Sequence, residues 1–121
     1  MLLDRIISTF TPGTEIPKPA AHAPFKIKGE GIIRGERAIM YSIPNRKNPA
    51  RPSQKGVTAS QLEKAYHQLL RSGVLTRDWW NNHVRYSAGE GGCNFTTVGG
   101  LLQLLGEAEY VKRGVYRQHT G

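Results

Sequence analysis

The feature that most constrains this chain is the run Cys93–Arg117, CNFTTVGGLLQLLGEAEYVKRGVYR. It places a helix, a stop and a short basic hairpin within 25 residues. Val98, Leu101, Leu102 and Leu105 recur at helical spacing and make one apolar stripe. Asn94 or Thr96 can cap the start by accepting a hydrogen bond from a free backbone N–H. Gly106 can close the end in a left-handed conformation. Ala108–Val111 and Val115–Gln118 then flank Lys112-Arg113-Gly114, a tight turn with glycine where positive φ is needed.

Upstream, the same helical grammar occurs twice. Thr58 with Gln61 and Ser60 with Glu63 both have capping-box spacing. Leu62, Ala65, Tyr66, Leu69 and Leu70 follow on one face, and Gly73 is the stop, which predicts a helix over 58–72. Thr76 caps a shorter helix through about Val84. Its neighbours Trp79 and Trp80 point about 100° apart, so only one of them is expected in the core. The glycine-rich residues 85–92 read as a loop.

Before residue 58 the period is two. Phe25 and Ile27 alternate with Lys26 and Lys28, and Ile39, Tyr41 and Ile43 alternate with Met40 and Ser42, so 25–43 reads as antiparallel strands. Arg34-Gly35-Glu36 is a turn, and Gly29 and Gly31 mark a bend or bulge. The glycine spacing there does not fit a dinucleotide fingerprint, and no helix follows. Residues 1–10 carry Leu2, Leu3, Ile6, Ile7 and Phe10 on one helical face. Four prolines between 11 and 24 make the next stretch an extended linker. The organisation expected is therefore an N-terminal arm and linker (1–24) and one α+β domain (25–121). That domain comprises a hairpin region (25–43), a Pro-stiffened loop (44–57) and a three-helix unit with a C-terminal hairpin (58–118).

Charge points to a class of partner. The 121 residues hold 17 Lys and Arg against 9 Asp and Glu, a formal net charge of +8. From Pro44 to Leu62 there are Arg46, Lys47, Arg51 and Lys55 and no acid. Such a balance favours polyanions. The single cysteine, Cys93, excludes an intramolecular disulfide framework. Cys93 and the four histidines lack metal-ligand spacing, and no catalytic set assembles from the residue types present, so neither a metal, a cofactor nor an enzymatic activity is expected. The N-terminus does not read as a secretory signal, no run is long enough to cross a membrane, and a cytoplasmic protein is expected.

Three close helices followed by a hairpin make residues 58–118 similar, in order of elements, to a winged helix-turn-helix DNA-binding domain. That resemblance implies a third helix in the major groove and a hairpin wing on phosphates. It would offer Asn94, Thr96, Thr97 and Gln103 to bases, and Lys112, Arg113 and Arg117 to the backbone. With the basic loop, the expected function is DNA binding. The rival reading is a non-enzymatic adaptor or inhibitor that docks on another protein, such as a nucleic-acid-handling machine. The apolar face of residues 1–10 must dock on something: on the chain's own body, or, as the alternative, on a protein partner or a second copy through Leu3, Ile7 and Phe10. Contiguity of loop and wing favours nucleic acid; an exposed Leu3, Ile7 and Phe10 favours protein.

Overall fold

The computed structural model describes residues 1–19, 24–45, 47–90 and 92–120. The chain is α+β, as its periodicity predicts, with two antiparallel sheets and the helices sharing one buried core. In chain order the elements are α1 (Leu2–Thr9), β1 (Glu15–Ile16), β2 (Phe25–Ile33), β3 (Glu36–Ile43), β4 (Ser53–Thr58), α2 (Ala59–Ser72), β5 (Val74–Thr76), α3 (Arg77–His83), α4 (Cys93–Leu104), β6 (Ala108–Lys112) and β7 (Val115–Gln118). The first sheet is a meander, β1-β2-β3-β4; the second runs β5-β7-β6.

Local chemistry accounts for most boundaries. Thr58 and Gln61 close a reciprocal capping box at the start of α2, and Gly73 ends it at φ 82°. The Thr76 side chain accepts from the Trp79 N–H to start α3. After α4 the chain reverses at Gly106 (φ 76°), whose N–H donates to Gln103 O while that of Glu107 donates to Leu102 O. The β2–β3 pairing slips between Ile27 and Gly29, which is the bulge the glycines foretell. Trp80 is the core tryptophan, and Trp79 is half-buried and stacked on His83.

Four expectations are corrected. The described part of the expected arm, residues 1–19, does not stand outside the fold. Leu2, Leu3 and Ile6 are buried in the common core, and Ile7 and Phe10 pack against it. Leu3 is 0% exposed, so it cannot serve as a contact for a partner. The linker carries β1, which pairs with β2 through Glu15–Lys26 and Ile16–Phe25. The basic loop ends earlier than expected: beyond Pro52 the chain joins β3 as β4, with Lys55 opposite Tyr41. Proline forbids ladder donation only where it stands, and Ser53 onward is free to pair. Finally, neither Asn94 nor Thr96 caps α4, which begins at Cys93 without a side-chain cap.

The helix α4 lies between the two sheets, and its glycines make that possible. A Cβ on Gly99 would fall 2.1 Å from Tyr116 Cζ of β7; one on Gly100 would fall 2.5 Å from Pro17 O, just beyond β1. The pair trades intrinsic helix stability for close approach on both sides. No helix is long and apolar enough to cross a membrane among the described residues.

Candidate nucleic-acid interface

A row of cations crosses the molecule from the β6–β7 turn to the loop before β4. Lys112 and Arg113 are exposed at the turn, where Gly114 takes φ 78°. The Gly114 carbonyl accepts from the Arg77 N–H at 2.9 Å, which ties the turn to the first residue of α3. Arg77 lays its guanidinium over the Phe95 ring, 4.8 Å from its centre, and Nη1 reaches Gly92 O at 3.4 Å. The carbonyl of neighbouring Cys93 accepts from Lys18 Nζ at 3.0 Å.

Lys18 is the centre of the row. Its ammonium also donates to Thr96 Oγ1 (2.6 Å) and Thr97 Oγ1 (2.8 Å) and sits 4.2 Å above the Phe25 ring. Burial lowers its pKa from the ordinary 10.5 to about 7; Arg77 and Lys55 push in the same direction, and Cys93 opposes them. Lys55, from β4, donates to Glu90 O at 2.9 Å. Four residues before it in the chain is Arg51, in a loop built by one side chain. Asn45 Oδ1 accepts from the N–H groups of Lys47 and Asn48, and its Nδ2 donates to Arg51 O. Lys47 and Arg51 are both exposed beside these bonds. Arg46 lies outside the described residues.

None of these seven cations is ion-paired with a carboxylate among the described residues. The other arginine proposed for the wing behaves differently. Arg117 Nε binds Glu109 Oε2 at 2.8 Å, and His119 takes the other oxygen at 2.6 Å. Together they hold the Glu109 carboxyl below the usual carboxylate range, His119 first. Arg117 therefore has a carboxylate partner, unlike the seven cations of the row.

The base-reading helix is corrected more sharply. Asn94 is 1% exposed and Thr97 0% exposed. Asn94 Oδ1 accepts from Tyr41 Oη at 2.6 Å, while its Nδ2 donates to Gly56 O and to Glu90 Oε2. Thr97 and Thr96 are taken by Lys18. The face of α4 that would enter a groove is covered by β1, β3 and β4. Gln103 is half-buried near the far end of α4, about 15 Å from Cys93 by helical rise, beside Gly106, Tyr110 and His119.

Two residues of the site gave no usable signal in the sequence. Lys18 looked like one charge in a linker, and Glu90 like an isolated acid in a glycine loop. Glu90 is a hub: Oε2 accepts from Asn94 and Gln61, Oε1 pairs with Arg34 at 2.6 Å, and its carbonyl holds Lys55. The capping spacing of Gln61 was visible, but not its second bond, from Nε2 to the carboxylate. No family model, no curated protein and no solved structure matches this chain.

Proposed function

We infer that this protein binds nucleic acid, DNA foremost, along the cationic row from Lys112–Arg113 through Arg77, Lys18 and Lys55 to Arg51 and Lys47. The observation that carries the reading is that the loop and the wing are joined by further cations, with no carboxylate paired to any of them among the described residues. Unpaired surface cations held close together repel one another, and an approaching phosphate backbone relieves that cost by releasing its own counterions. The order of α2, β5, α3, α4, β6 and β7 supports a winged-helix-like scaffold, with the β6–β7 turn as wing. The scaffold is used without its recognition helix, because α4 is covered. Affinity then rests on phosphates, and sequence preference is weak.

The test is binding to unrelated duplexes at several salt concentrations. Log K should fall linearly with log salt. Replacing Lys47, Arg51, Lys112 and Arg113 together by alanine should weaken all sequences alike and flatten the slope by ~0.9 for every phosphate no longer neutralised. Absence of binding at ~50 mM salt, where basic contacts are strong, would replace this reading with the protein-docking adaptor.

A further inference from the structure

Among the described residues two non-glycine residues have positive φ, Arg34 at 50° and Tyr86 at 70°, and they touch. Arg34 Cζ lies 4.1 Å from the centre of the Tyr86 ring, and Arg85 Cζ lies 4.9 Å from it. A bulky side chain in the left-handed region is strained, and the strain persists only where surrounding contacts over-determine it. Those contacts are present. Arg34 is ion-paired to Glu90, the Tyr86 carbonyl accepts from the Glu90 N–H, and the Arg85 carbonyl accepts from Gln61 Nε2.

The strain does not serve the core, since Tyr86 remains 47% exposed. What it does is hold an aromatic ring and two guanidiniums together at the surface. Glu90 connects this group to the cationic row, because its carbonyl holds Lys55 Nζ while its carboxylate holds Arg34. Planar guanidinium and phenol faces accept the flat face of any base, whatever its hydrogen-bonding edge.

We propose that Tyr86, with Arg34 and Arg85, is a stacking site for an unpaired base of a single-stranded nucleic acid whose phosphates run past Lys55. The inference rests on the cationic row being a nucleic-acid surface, and it adds the strand state that surface prefers. A strained turn that holds a ring outside the fold has no role toward a duplex, whose bases are already stacked.

The experiment uses the full chain and two probes: a short oligothymidine carrying one fluorescent purine analogue, and a duplex of the same length. Wild-type protein should bind both, and the fluorescence of the single strand should be quenched by stacking. Tyr86→Gly removes the ring and relieves the left-handed strain, so the fold has a residue suited to that position. It should weaken single-strand binding about tenfold, within the range for loss of one stacked base, and abolish the quenching. Duplex affinity and its salt slope should stay unchanged. Tyr86→Phe should behave as wild type. Full single-strand affinity and quenching in Tyr86→Gly, or equal losses on both probes, would overturn the stacking site and leave the cationic row standing. Failure of the wild type to bind either probe would overturn both.

Discussion

Two sides of this molecule treat their positive charge in opposite ways. On the side where α1 meets the β2–β3 hairpin and the end of α4, guanidiniums are matched. Arg37 bridges Asp4 and Glu30, and Arg5 reaches Glu107. The pairing raises the pKa of both arginines, chiefly through the hydrogen bonds to Glu30 and to Glu107, and lowers that of Glu30. On the side that runs from the wing to the Asn45 loop, seven cations face solvent, carbonyls, hydroxyls and aromatic rings instead. Charge that is paired internally is spent on the fold. Charge left unpaired in a row costs stability and is informative about a partner.

Four measurements can break or sharpen that contrast. Leu69 is fully buried beneath both sides, so Leu69→Ala should cost ~2–5 kcal/mol in denaturant unfolding and weaken binding only by reducing the folded fraction. A mutant that stayed fully folded yet lost binding would place Leu69 in the interface and blur the division. Next, the quadruple alanine variant of Lys47, Arg51, Lys112 and Arg113 should lose roughly a hundredfold in affinity at low salt, about 2.7 kcal/mol, with no fall in melting temperature. A matching fall in stability would mean the row is structural after all.

The third concerns Lys18, the member of the row most shielded by the fold. Its folded pKa, about 7, lies below its ordinary 10.5. The unfolded state therefore binds more protons between those values, and stability should rise as pH increases through that window. Lys18→Met should flatten the rise seen in pH-dependent unfolding. A profile identical to wild type would show that Lys18 is not buried in solution. The smallest effect belongs to the paired side. Arg5→Ala should lower stability by no more than a few tenths of a kcal/mol, because the pair with Glu107 is exposed and screened. It should leave the salt slope of binding unchanged, and a changed slope would extend the interface to that face.

What could be read from the sequence follows the range of the interaction responsible. The Thr58–Gln61 box, the Gly73 and Gly106 stops and the Lys112–Gly114 turn are settled within a few residues, and each is where it was expected. The glycine pair at 99–100 is visible in the sequence, but its partners, a Tyr116 ring and the Pro17 carbonyl, lie far away along the chain. The errors are long-range. Lys18 meets Cys93 across 75 residues, and Tyr41 meets Asn94 across 53. Asn94 and Thr97 are polar residues at a helix start, which suits reading bases and suits sealing a buried seam equally well. Only the neighbouring sheet decides between them. The short strands β4 and β5 were missed because each owes its existence to a partner strand rather than to its own alternation.

The glycine seam on α4 also has a bearing on how the chain acquires its shape. On one flank Gly100 receives Ile16 and the Pro17 carbonyl; on the other Gly99 receives Tyr116. The first partner is made well before α4 and the second only after it. While a ribosome is still working through the middle of the chain, Leu2, Leu3, Ile6 and Ile16 have no α4 to cover them. Contacts between such distant segments form slowly, and apolar surface left open in the meantime invites association between nascent chains. Yield in cells should therefore depend on chaperone supply and growth temperature more than the stability of the finished protein would indicate.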